Sequence, residues 1–344
     1  MRIWFNKTFS SITSVFNSFR QARVGLGVTV IATHTNPAAV ALLAADEAMH
    51  EPPGLVGAAY LDWCLSFCQR HRIDYFWPAK EAVLLVSHQA AFAQVGTQVI
   101  AVTSPEMLRL LHNKGEFYRT LPLSVASAMA CIAVTDSNGF DQAVAELSQY
   151  HAALCVKPAV SVFGLGFRIL DTQRDSITHL LDGVEYEIPL AELRAGMAHT
   201  PTFPELLVME HLPGDEWSVD CAGRDGQLLC AIQRKKHPQA GYGQEIDNNA
   251  AIQGMVERLT VHYGLNGLFN IQLKANEAGE PRLLEINPRP SGGFGMACLA
   301  GVNLAEVFLQ SLQGETLSIA PLRYGLRVSE VSMPVVLQSV KTVS

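Results

Sequence analysis

The run Arg282-Leu-Leu-Glu-Ile-Asn287, closed by Pro288-Arg289-Pro290 and continued by Ser291-Gly292-Gly293, leaves the chain fewer options than any other stretch. Residues 282–287 have strand character, and side chains on a strand alternate between faces, so Glu285 and Asn287 project to the same side. The two prolines cannot continue a sheet interior, so the strand stops and Arg289 stands where the chain leaves it. Two oxygen donors beside a fixed cation suit a hard divalent ion, which takes carboxylate and amide oxygens at roughly 2.1 Å and sits against substrate phosphates. An edge strand facing solvent, with Arg289 as a turn residue, is the plainer alternative.

A chain of 344 residues exceeds one small core and implies two or three subdomains. Its hydrophobic fraction of 49% and charged fraction of 17% describe a soluble globular protein and exclude disorder. The formal net charge is -7, and the longest basic block is Arg234-Lys235-Lys236, so no nucleic-acid surface is expected. Seven scattered cysteines in apolar runs suit reduced core thiols. Cys64 and Cys68 have no partners near enough in sequence to complete a zinc set. With no signal peptide at the N-terminus and no apolar run of about 18 residues, no membrane partner and a cytoplasmic location are expected.

Alternating strands and helices open the chain. Arg2–Phe5 reads as a strand, Ser10–Arg20 as a helix, Val24–Thr33 as a strand entered by Gly25 and Gly27, Tyr60–His71 as an amphipathic helix, and 73–78 as a short strand ending at Pro78. Such alternation builds parallel βαβ units. Asn6, Lys7, Thr8 and Ser10, and Pro78 to Glu81, then fall at carboxyl ends of strands, where open α/β sheets bind ligands, unless they are ordinary polar loop residues.

Ser104-Pro105-Glu106 carries a cap, a first-turn proline and a first-turn acid, so a helix should run from there to Lys114, a surface lysine at its end. A composition shift at 101–103 marks a domain boundary. Phe140–Tyr150 reads as a helix and Ala153–Pro158 as a buried strand leading through Lys157 into a loop with Gly164 and Gly166, ahead of a strand at Arg168–Leu170. A glycine loop of this kind lays backbone N–H groups against phosphate while a strand-end lysine adds charge, although two glycines in a hairpin are also common. Leu206–Asp220 reads as a hairpin turning at Pro213-Gly214. Its Glu210 and Glu216 suit ribose hydroxyls, and the backbone at His211 and Leu212 suits an adenine edge. Leu228–Gln233 is a strand leading into the basic block and a turn-rich loop from His237 to Gly243. Leu268–Lys274 pairs with 282–287 through a turn and brings Gln272 toward Glu285 as a third oxygen ligand.

In this order the segments resemble the ATP-grasp superfamily, and its carbamoyl-phosphate synthase and carboxylate-amine ligase branch most closely, over roughly residues 104–313. The resemblance implies an ATP-grasp fold, with two α+β subdomains gripping ATP, preceded by a Rossmann-like parallel-sheet α/β domain. It divides the chain at 1–103, 104–320 (with a lid over about 123–205) and a tail at 321–344. It gives Lys114 and Lys157 to nucleotide phosphates, Gly164 and Gly166 to the lid, Glu210, His211 and Leu212 to the adenine hinge, and Glu216 to ribose. Gln272, Glu285 and Asn287 match the metal ligands, with Gln272 where many relatives carry glutamate, and Arg289 matches the arginine that holds the transferring phosphate. The lid has fewer glycines than the usual version. The Ser291-Gly292-Gly293 continuation looks like that of ATP-grasp proteins encoded beside tellurium-resistance and stress genes.

The implied activity is an ATP-dependent carboxylate-amine or carboxylate-thiol ligase working through an acylphosphate. Lys157 and Arg289 would be its catalytic cations, ATP with Mg²⁺ or Mn²⁺ its cofactors, small-molecule carboxylates and amines its partners, and a homodimer its assembly. A kinase-like phosphotransferase or a non-catalytic ATP-binding regulatory module would use the same nucleotide residues.

Overall fold

Short apolar runs make the first sheet: β1 (Arg2–Phe5), β2 (Thr29–His34), β3 (Glu47–His50), β4 (Tyr75–Trp77) and β5 (Gln98–Val99), in the order β3-β2-β1-β4-β5 with every pair parallel. The computed structural model describes residues 1–7, 12–22, 27–160, 165–239 and 241–337. Ile3, Trp4 and Phe5 are buried in succession, as expected for a strand covered on both faces. The Trp4 ring stacks on Phe76 with centroids 4.0 Å apart, and Tyr60, Cys64 and Phe67 of α2 (Gly57–His71) close the core above it. Burial pushes the Cys68 thiol up to about 12. α1 (Thr13–Gln21), α3 (Ala82–Ser87) and α4 (Gln89–Gln94) complete this layer.

The three strands expected in this sheet each have a counterpart, the second only over Thr29–His34, and residues 24–26 of its expected span lie outside the described residues. β3 was not anticipated, because its half-buried Glu-Ala-Met-His sequence carries no apolar run. Thr8, Ser10, Gly25 and residues 161–164, Gly164 among them, lie outside the described residues.

Two compact units divide the chain, one of Met1–Arg109, Asp215–Gln272 and Glu285–Ser344, the other of Leu110–Gly214 and Leu273–Leu284. Here the helix opened by Ser104 differs from expectation. Ser104 Oγ does accept from Met107 N, but α5 (Pro105–His112) ends before Lys114, and α6 (Lys114–Thr120) starts there. The break is made by Asn113, whose side chain caps α6 by accepting from Glu116 N at 3.2 Å. Lys114 therefore stands at a helix N-terminus, where the macrodipole opposes its charge.

The second unit is built on β6 (Cys131–Asp136), β7 (Leu154–Pro158), β8 (Arg168–Asp171), β9 (Glu187–Pro189) and β10 (Thr202–Glu210), in the order β6-β10-β7-β8-β9. α7 (Ser137–Leu147), α8 (Ser176–Asp182) and α9 (Leu190–Met197) accompany it, with Phe140, Val144, Leu147, Val156 and Val208 among its core. The third sheet contains β11 (Glu216–Arg224), β12 (Gln227–Lys236), β13 (Gln244–Asp247), β14 (Gly267–Ala275), β15 (Pro281–Asn287) and β16 (Arg327–Val328), ordered β15-β14-β11-β12-β13-β16. α10 (Ala250–His262), α11 (Phe294–Cys298) and α12 (Leu304–Leu312) complete the elements of the first unit.

The expected hairpin over 206–220 does not form. β10 is paired on both edges, by β6 and β7, which leaves no edge for β11; β11 joins the third sheet between β12 and β14. Pro213-Gly214 is thus a connector between sheets. The basic block also differs, since Arg234, Lys235 and Lys236 continue β12 opposite Ser218, Trp217 and the start of β13.

Candidate functional site

β15 ends at Asn287, beside β14, and the alternation of faces holds: Asn287 Nδ2 donates to Glu285 Oε1 at 2.8 Å. That bond turns the amide so that its Oδ1 is the remaining ligand atom. Glu285, Asn287 and Gln272 are all half-buried, while Ile271, Leu273 and Ile286 beside them are buried. Arg289 Nη1 donates to Pro290 O at 3.1 Å. Burial lowers the Arg289 guanidinium from its ordinary value, and the charges of Glu285 and Asp220 act the other way. The donor set is therefore hard oxygen with a cation alongside, which fits Mg²⁺ or Mn²⁺ and not a thiophilic metal.

Beneath this lies an ion pair that sequence reasoning missed. Arg234 is 2% exposed and Asp220 0%; Arg234 Nη2 and Nε donate to Asp220 Oδ2 at 2.7 and 3.0 Å. The guanidinium also donates to Ser218 Oγ, to Ser291 Oγ and to Gln244 Oε1. Asn270 Nδ2 donates to Ser218 Oγ and to Asp220 Oδ1. In sequence Arg234 reads only as one member of a basic run; the β11–β12 register, Ser218 opposite Arg234, is what reveals it. Glu216 is paired with Lys236, so a ribose role would share its carboxylate with that lysine.

In the second unit, Lys157 near the end of β7 donates to Tyr118 Oη at 3.1 Å and lies 5.2 Å from the Tyr118 ring centroid. Lys114 N donates to Ala159 O at 3.2 Å, so the start of α6 is bonded to the segment that follows Lys157. Tyr118, which sequence reasoning did not single out, also donates to Leu284 O. Glu210, at the end of β10, takes a contact from Ala130 N at 3.4 Å and faces His151 Nδ1 at 3.5 Å. His211 N donates to Ala153 O, and burial, with Lys274 nearby, lowers the His211 pKa. Leu212 is buried. Gly166 has φ +81, and a Cβ there would stand 2.8 Å from Pro158 Cδ, so glycine is required at that position.

Two other polar clusters are closed. At the carboxyl ends of β1 to β4, Asn6 accepts from Ala79 N at 2.6 Å and donates to Tyr60 Oη and Lys80 O, while Glu51 meets Thr33 Oγ1 at 3.1 Å and Lys80 Nζ at 3.4 Å. Asp171, His179 and Glu187 have ligand atoms within 4.8 Å of one another, but Arg174 is bonded to both carboxylates and supplies the cation.

Residues 11–100 match the family model described as PylC-like, N-terminal domain, and residues 202–334 match the one described as ATP-grasp in the biosynthetic pathway with Ter operon. No curated protein sequence matches the chain. Among solved structures it is similar to N5-carboxyaminoimidazole synthetase from Staphylococcus aureus, with TM-score 0.63, 14% identity, and coverage of 92% of this chain and 78% of that one. The L-amino acid ligase from Bacillus licheniformis follows at TM-score 0.58 and 14% identity, covering 90% and 73%. The biotin carboxylase domain of the Hydrogenobacter thermophilus 2-oxoglutarate carboxylase is similar at TM-score 0.61 and 14% identity, covering 94% and 72%. Residues 202–334 thus match an ATP-grasp family model, and the chain has the fold of these ATP-grasp neighbours, with a parallel α/β domain ahead of it. Among the described residues no helix is long and apolar enough to cross a membrane.

Proposed function

We propose that this protein is an ATP-dependent ligase that joins a small-molecule carboxylate to an amine through an acylphosphate. The observation that carries the reading is the half-buried Glu285–Asn287 pair with Arg289 at the end of β15, in a chain of this fold. A solved neighbour's complex contains MgADP and bicarbonate, and another neighbour is an amino acid ligase. On this reading residues 1–103 precede an ATP-grasp part at 104–320 with its lid over about 123–205.

Chemically, an oxygen of the substrate carboxylate attacks the γ-phosphorus of ATP and ADP departs; the amine then attacks the acyl carbon and inorganic phosphate leaves. Such transfer needs positioning and charge neutralisation more than covalent help. In the second unit Lys114 and Lys157 take phosphate oxygens, Tyr118 orients Lys157, Gly164 and Gly166 belong to the lid, and Glu210, His211 and Leu212 take the adenine. In the first, Glu216 takes ribose, Arg289 takes the transferring phosphoryl group, and Gln272, Glu285 and Asn287 hold the divalent ion. Mg²⁺, when bound, neutralises phosphate charge.

The test is ADP release from ATP and Mg²⁺ across pools of carboxylates and amines, with product mass read alongside. A condensed product with one phosphate released per ADP supports the ligase. A phosphorylated product would make it a kinase, and no release above a Glu285→Ala control would make it a binding module.

A further inference from the structure

Two of the four residues after Arg289, Ser291 and Gly293, lie against a buried ion pair, and this points to residues acting on the site without touching nucleotide. We propose that Arg234 and Asp220 are positioning residues: they set the 290–293 loop and thereby fix Arg289 and Asn287 at the end of β15, an inference that rests on the ligase reading.

Two points of the loop are pinned. Ser291 Oγ accepts from Arg234 Nη2 at 2.8 Å, and Ser291 N approaches Asp220 Oδ1 at 3.4 Å. Two residues on, Gly293 lies against the same guanidinium, where an added Cβ would meet Arg234 Cζ at 2.7 Å. Gly293 has φ -93, so glycine serves there to admit the guanidinium and not to permit an unusual backbone. Ser291 is itself buried. Ser218 and Asn270 hold Asp220 and the guanidinium from below, which fixes the platform in one orientation. A buried ion pair is a poor way to gain stability, since an apolar pair of similar volume often does as well or better. A planar fork with five donors does fix geometry, and a loop bonded to it inherits that geometry. Asp220 also acts on Arg289 through its charge.

The experiment compares Ser291→Ala, Ser291→Thr and Gly293→Ala with wild type in the full chain. Amide hydrogen exchange over 288–294 is read without nucleotide, and steady-state ADP release is read with the substrates found above. Ser291→Ala and Gly293→Ala are expected to speed exchange in the loop about tenfold, as loss of a bond to a charged group would. Both are expected to lower kcat about tenfold while moving KM for ATP by less than about threefold, with thermal unfolding nearly unchanged for Ser291→Ala. Ser291→Thr, which keeps the hydroxyl, should recover most of both. Unchanged exchange in both variants would overturn the proposal, and so would faster exchange with wild-type kcat. If wild type released no ADP, the ligase reading would fall and the role in turnover with it; faster exchange in the variants would then show that the contact itself was read correctly.

Discussion

Two polar clusters in the first unit both sit where strands end, yet they differ in what they leave exposed. Asn6, Glu51 and Lys80 close on one another at the carboxyl ends of the parallel sheet, with Asn6 and Glu51 both 0% exposed. Glu285, Asn287 and Arg289 end β15 half-buried, and the fully buried charges, Asp220 and Arg234, lie below them. A strand end is therefore not by itself a site. What separates the two is burial: the first set is sealed from solvent, while the second stands half-buried over a buried ion pair.

That contrast predicts opposite consequences for mutation. The largest effect should come from the half-buried set: Glu285→Ala and Arg289→Lys should each lower turnover by on the order of 10²-fold or more. For Arg289→Lys, ATP affinity should change little, because a guanidinium fork matched to a transferring phosphate is not reproduced by an ammonium. Near-normal ADP release from Arg289→Lys would return that residue to a turn role.

The closed set should behave in reverse. Glu51→Gln should cost about 2 kcal/mol in chemical denaturation, below the usual value for breaking a buried pair because Lys80 is 19% exposed. MgADP affinity should stay at the wild-type level. A Glu51→Gln protein of normal stability and weakened nucleotide binding would erase the distinction between the clusters.

Lys157→Ala comes next in size, with ATP binding weaker by about tenfold, equivalent to one lost charge-assisted contact. Unfolding without nucleotide should stay close to wild type. Lost stability with unchanged affinity would move Lys157 to the structural side.

The smallest effect is expected from the Asp171 cluster of the second unit. His179, then the backbone N–H of Gln173 and the Arg174 guanidinium, hold the Asp171 carboxyl well below the ordinary carboxylate range. A group with a depressed folded pKa stabilises the protein above its unfolded value, and that stability is lost as pH falls through that range toward the folded value. Wild type should thus lose its advantage over Asp171→Asn progressively as pH falls below about 4. A difference that grows on acidification would contradict the sign.

Much of this architecture is legible in the sequence. The strands at 2–5, 75–77 and 281–287 announce themselves by apolar runs stopped by polar or proline residues, and Glu285 and Asn287 by strand alternation. Edge strands were not readable: β3 has no apolar signal, and the two residues of β5 are too few for one. Sheet membership was also hidden. A Pro-Gly between two strands looks the same whether it turns a hairpin or passes the chain to another sheet, and the 206–220 segment does the latter. Lys114 was placed at the wrong end of a helix because Asn113 can end one helix and cap the next. Arg234 was hidden for a different reason: a basic run does not show which member is buried until cross-strand register is known.

The interleaving of the two units has a consequence for how the polypeptide is made. The second unit takes most of its residues from Leu110–Gly214 but also includes Leu273–Leu284, where Ala128 bridges Leu283, Ser127 O accepts from Leu283 N, and Tyr118 bonds Leu284 O. A chain emerging from the ribosome folds its leading segments first, yet this unit must wait for about 70 further residues of synthesis before its last strand-like contact can close. During that interval Lys157 and Tyr118 can already meet, while the carbonyl that anchors Tyr118 has not yet been translated. Nascent chains arrested just short of Leu283 should therefore be cut by protease within 110–214 far more readily than chains arrested once Leu284 has cleared the exit tunnel.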